Sequence, residues 1–129
     1  MTEPGKWLAF AQEDLTLAQL ALERRVFNQA CFHAQQGVEK ALKGFLRSCQ
    51  RSVPHTHALS ELLAICQAVD DSFQQLQDAC LKLDRYYIPT RYPDALPGIG
   101  SEGMPTRQDA TEAAKLLQNV LEWVQGKIR

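Results

Sequence analysis

The chain lacks most of the features that announce a function at a glance. No apolar run approaches the roughly 18 residues that a membrane-spanning helix needs, so no span is expected. The opening MTEPGKWLAF has no apolar core ending in a cleavage site, and no secretion signal is expected. Charge of one sign is missing too, since 14 basic and 15 acidic residues leave a net charge of -1. That balance excludes coating of nucleic acid or anionic lipid by bulk charge, and any such contact has to be a local basic patch. Cys31, Cys49, Cys66 and Cys80 form no C-x-x-C pair and fit no zinc-ligand spacing. Three of them fall on apolar helical positions, which points to reduced, buried thiols in a cytoplasmic protein, without a metal or a cofactor. No segment alternates apolar and polar residues with turn chemistry at its ends, so no sheet is expected.

What is present reads as helix. Leu8, Ala11, Leu15, Ala18 and Leu22 recur at steps of three and four, and Pro4 suits a first turn. Phe27, Cys31, Ala34, Val38, Ala41 and Phe45 repeat the pattern, and Leu42 and Leu46 widen it, which makes this segment the central helix. Pro54 breaks it. A shorter helix follows, with Leu59, Leu62, Leu63 and Cys66 inward and Thr56 as its expected N-cap. Asp70 or Asp71 then caps a helix whose stripe is Phe73, Leu76, Cys80, Leu83 and Tyr87. The last helix starts after Thr106, with Asp109 completing an acidic capping box. The expectation is one all-α domain over residues 1–129, an up-and-down bundle of about five helices.

One connection is out of proportion. Residues 88–105 hold four prolines and three glycines, where helix links in bundles usually run about 2–8 residues. Arg85, Tyr86, Tyr87, Arg91, Tyr92 and Asp94 crowd the entrance to it. A second polar constellation lies on the central helix. His33, Gln36, Lys40, Lys43 and Arg47 step by three and four, one residue out of phase with the apolar stripe, and one residue is about 100° around a helix. These side chains therefore form a polar stripe flanking the core. It reads either as a site for phosphate or single-stranded nucleic acid, or as a solvated face with Glu39 paired to Lys43.

Taken in order, FHAQQGVEKALKGFL, PHTHAL and YYIPTRYPD resemble the HEPN domain (higher eukaryotes and prokaryotes nucleotide-binding). The resemblance begins at Trp7 and Asp14, runs through Asp94 and takes in the last helix. It implies a five-helix, typically dimeric bundle. It also implies a setting beside a minimal nucleotidyltransferase, in pairs that often behave as toxin and antitoxin. Some members are metal-independent ribonucleases that use an arginine and a histidine with four to six residues between them, in the later helical part of the domain.

The chain departs from that catalytic pattern, because no histidine follows Arg85 or Arg91 and the last one is His57. Arg51 and His57 satisfy the spacing, but in the turn before the third helix, and they are read as coincidence. No catalytic residue is assigned. Lys40, Lys43, Arg85, Arg91, Tyr92 and Asp94 are the candidate ligand- or anion-binding residues, with His33, Gln36, Glu39, Arg47 and His57 as secondary candidates. Arginine forks onto phosphate and tyrosine stacks on a base. The competing reading makes Arg91 and Asp94 a turn lock, with Tyr86 and Tyr87 finishing the core. The function expected is a nucleotide- or RNA-binding module acting with a nucleotidyltransferase. The alternatives are an endoribonuclease toxin and a non-catalytic interaction protein. A homodimer is expected from the width of the central apolar stripe and the Tyr/Arg-rich end of the fourth helix.

Overall fold

The computed structural model describes residues 2–87 and 104–128. They form α1 (Glu3–Glu23), α2 (Phe27–Ser48), α3 (Leu59–Val69), α4 (Gln77–Asp84) and α5 (Arg107–Lys127), with a 3-10 segment at Asp71–Leu76 before α4. No strand occurs among the described residues, and none of the helices there is long and apolar enough to cross a membrane.

Local chemistry sets most boundaries where the sequence puts them. The Thr2 hydroxyl accepts from the Gly5 amide at 3.1 Å, and Pro4 sits in the first turn of α1. Arg25, at φ 63°, turns the chain back within three residues so that α1 and α2 form a hairpin. Thr106 and Asp109 exchange both bonds of a capping box at the start of α5.

Two local expectations need correction. Thr56 does not cap α3. Its hydroxyl accepts from Ala58 two residues on and donates to Glu61, while Asp84 at the end of α4 accepts from the Leu59 and Ser60 amides. The cap thus comes from a helix distant in sequence, which no local pattern reveals. The fourth helix also begins as a 3-10 turn, because Asp70 takes both the amide and the hydroxyl of Ser72 and tightens the chain there.

α2 is the central helix. It packs on α1 and α5 and, less extensively, on α3 and α4. Gly44 lets α1 close on it, and Gly37 makes room for both α5 and α1. A Cβ at 44 would lie 2.9 Å from the Trp7 Cβ, and one at 37 would meet the Leu117 methyls at 2.6 and 2.7 Å and the Asp14 Cβ at 3.2 Å. Leu42, Leu46, Phe73, Leu83, Leu117 and Leu121 fill the core, and the Phe73 ring lies 4.2 Å from Phe45 and 4.8 Å, edge-on, from Trp123. Cys31, Cys66 and Cys80 are buried free thiols, each pushed up to about 12 chiefly by burial, and Cys49 is half-buried. The wide apolar stripe of α2 is covered within one chain, so it does not supply the surface from which a homodimer was expected. Tyr86 completes the core, but Tyr87 stays half-exposed.

Candidate functional site

Two buried carboxylates organise the polar side of α2. Asp14, 3% exposed, projects from α1 beside Gly37 of α2. Its Oδ1 lies 2.9 Å from His33 Nδ1 and its Oδ2 accepts from Lys40 Nζ at 2.7 Å. Glu39, 5% exposed, accepts from Lys43 at 2.9 Å and lies 3.1 Å from His57 Nδ1. A carboxylate only accepts, so Nδ1 is the donor in both imidazole contacts and Nε2 is the nitrogen left for other partners. Each acid therefore holds one imidazole and one ammonium in a fixed direction.

The amides tie the second group to the chain before α3. Gln35, fully buried, donates to the His57 carbonyl at 3.0 Å, and Gln36 donates to the Gln35 side-chain oxygen at 2.8 Å. Tyr87 lies over the His57 ring at 4.8 Å and 12°. Phe32 stands between the two groups, edge-on to His33 at 5.5 Å and 6.5 Å from Tyr87. The face thus combines oriented cations with a stacked aromatic shelf. Such a surface can offer phosphate contacts and a platform for a planar ring.

The expected stripe is real, and all of its cations are paired. Lys43 is buried on Glu39, the partner given by the solvated-face reading, but without the solvent. Arg47 bonds Glu3 at 2.6 Å and the Arg51 carbonyl at 3.0 Å. Arg85 is engaged elsewhere. Its guanidinium donates to the Tyr86 hydroxyl at 3.2 Å, and that bond, with attraction to Tyr86, Asp109 and Glu112, raises its pKa despite partial desolvation. Arg85 is thus also drawn toward the acids of α5, while Lys40 bonds α1 through Asp14 and Lys43 bonds Glu39 of its own helix. Arg91, Tyr92 and Asp94 lie outside the described residues. No hydrogen bond or ring contact joins Arg51 to His57: the Arg51 backbone is held by Arg47 and the His57 ring by Glu39.

Sequence reasoning missed the two acids as anchors, although their spacing marks them. Asp14 falls between Ala11 and Ala18, and Glu39 between Gln35 and Leu42, at helical steps of three and four along faces that are otherwise buried. An acid on such a face needs a cation beside it. Tyr87 was assigned to the core, and nothing local shows that its ring covers His57. Among the described residues no cluster of His, Cys, Asp and Glu is arranged to hold a metal ion.

Comparison with known proteins places the fold. The HEPN domain profile matches residues 5–127. The crystal structure of TT1696 from Thermus thermophilus superposes with a TM-score of 0.87 at 39% identity, over 98% of this chain and 99% of that one. ST0689, described as an archaeal HEPN homologue, gives 0.79 at 30% identity over 100% of both chains. A Methanocaldococcus jannaschii protein named "Putative toxin MJ1304" is 29% identical over 92% of this chain and 84% of its own length.

Proposed function

The chain belongs to the HEPN domain family, and within it we propose a nucleotide- or RNA-binding module that works with a minimal nucleotidyltransferase in a toxin–antitoxin-like pair. The observation carrying this reading is the row His33, Lys40 and His57, each oriented by a buried carboxylate, beside the ring of Tyr87. An ammonium has three donors and Lys40 spends one on Asp14, so a phosphate can be added without breaking that bond. Preorganised donors cost little to order on binding. Arg91, Tyr92 and Asp94 follow Tyr87 closely in sequence and extend the same reading. The similarity to a protein named as a toxin supports the toxin–antitoxin setting.

Thermal-shift titration with mononucleotides and short single-stranded RNA tests it. Wild type should show a rising melting temperature with ligand, and the shift should fall with salt. Lys40→Gln keeps a donor for Asp14 but removes the charge, and should lose most of the shift while remaining folded. No shift in wild type, or an equal shift in the variant, removes the reading.

The endoribonuclease alternative has one observation in its favour: the His57 imidazole is backed by Glu39, the arrangement of an oriented general base. RNA cleavage in chelator that His57→Ala abolishes would make this the better reading.

A further inference from the structure

The segment from α3 to the end of α4 carries charge of nearly one sign. From Leu59 to Asp84 there are five acids, Glu61, Asp70, Asp71, Asp78 and Asp84, one lysine, and neither arginine nor histidine. Lys82 is tied to Asp78 and to Glu112 of α5, and Lys127 of α5 lies 3.1 Å from Asp70. Glu61, Asp71 and Asp84 have no cation within ion-pair distance among the described residues. Glu61 accepts from the Thr56 hydroxyl and Asp84 from the amides that start α3, so both keep their charge. Because Asp84 caps Leu59 and Ser60, α3 and α4 run antiparallel, and a groove of about 200 Å³ opens between them. Leu63, Ala64, Cys80 and Leu81 form its apolar middle. Leu81 is 59% exposed, the most open large apolar side chain among the described residues. Ser60 closes one end, its hydroxyl spent on Asp84 at 3.0 Å, and Gln67 and Gln77 close the other. Neither glutamine side chain has a hydrogen-bond partner among the described residues.

We infer that the α3–α4 groove docks a basic segment of another protein, which seats a leucine-sized side chain between Ala64 and Leu81. Its cations lie toward Asp84 and Glu61 at the Ser60 end. Each part of the groove selects this occupant. A hollow of that volume holds one large apolar side chain and covers Leu81. A carboxamide offers both a donor and an acceptor, so Gln67 and Gln77 suit the amides and carbonyls of a polypeptide backbone. The uncompensated acids attract a cationic partner and repel phosphate, which sets this surface apart from any nucleic-acid contact. A two-fold pairing of the groove with itself would set acids against acids, which excludes a second copy as the favoured occupant. The inference is independent of nucleotide binding, because the groove uses none of the residues gathered around Asp14 and Glu39.

Fluorescence anisotropy with a synthetic lysine-rich amphipathic peptide bearing one row of leucines tests this, beside a counterpart with glutamate in place of lysine. The lysine peptide should bind, with an affinity that falls as salt rises, and the glutamate peptide should not. Leu81→Ser, a change at an exposed position, should weaken binding by at least about tenfold with circular dichroism unchanged. Leu17→Ser on α1, also at an exposed position, should leave binding intact. In amide NMR spectra the lysine peptide should move the signals of Ser60, Ala64, Gln67, Gln77 and Leu81. Failure of that peptide to bind overturns the inference, as does binding indifferent to Leu81→Ser or shifts centred outside the groove. Self-association that Leu81→Ser abolishes would put a second copy in the groove and overturns it too. Short RNA that moves the same amides would make the groove a nucleic-acid surface, with the same consequence.

Discussion

Asp14 and Glu39 hold the same set of partners, one imidazole and one ammonium each, by different routes. Asp14 reaches from α1 to two side chains on α2, so its bonds fasten two helices. Glu39 takes its lysine from the next turn of its own helix and its histidine from the chain before α3. The Asp14 partners are 26% and 29% exposed, so water reaches both. Lys43 is 8% exposed and His57 52%, so the second group has a dry end and a wet end. A buried ion pair with little access to water depends strongly on each partner, because removing one strands the other. The first group is therefore open to water at both partners, and the second is held dry at its lysine.

The largest expected effect tests that contrast directly. Lys43→Ala leaves Glu39 buried with a half-exposed imidazole and should cost about 3–5 kcal/mol in urea denaturation. Lys40→Ala leaves Asp14 with His33 and reachable water, and should cost only about 1–2 kcal/mol. Equal losses would mean that the two acids are equivalent anchors.

A smaller effect separates the groups by geometry. Gly44→Ala forces the Trp7 Cβ away from a 2.9 Å approach and lifts α1, at a cost of about 1–3 kcal/mol. Because Asp14 rides on α1, this change should be non-additive with Lys40→Ala and additive with Lys43→Ala. Additivity with both would show that helix separation does not govern the Asp14 group.

The smallest effect is a control in water. Arg47 and Glu3 also join α2 to α1, but their side chains are 35% and 54% exposed. Glu3→Gln should change stability by no more than about 1 kcal/mol, and salt should erase the difference. A larger loss would mean that exposure is the wrong axis for ranking these pairs.

The helices were legible because each apolar stripe is local and periodic, and so were the capping box at Thr106 and the polar stripe on α2. What stayed hidden depends on contacts distant in sequence. The cap of α3 comes from Asp84, and the buried state of Lys43 follows from how the surrounding elements close over α2. Spacing alone could not tell a solvated lysine from a buried one. Arg85 was grouped with Lys40 and Lys43 because the fourth helix had to pack beside the second, and packing order alone could not show that its guanidinium bonds Tyr86. The two glycines on α2 gave no signal of their own, since a helical glycine matters only when atoms of another helix lie against it.

The tight reversal at Arg25 bears on the order in which the molecule assembles. α1 and α2 share the most extensive interface in the fold, and the chain between them is only three residues long. Closing so short a loop loses little entropy, so this hairpin can form early and locally. Its cross-helix bonds, Asp14 to His33 and Lys40 among them, need no other element. α5 must instead return from beyond residue 104 to lay Leu117 over Gly37. Docking of α5 is thus the non-local step, which the topology predicts to follow closure of the hairpin.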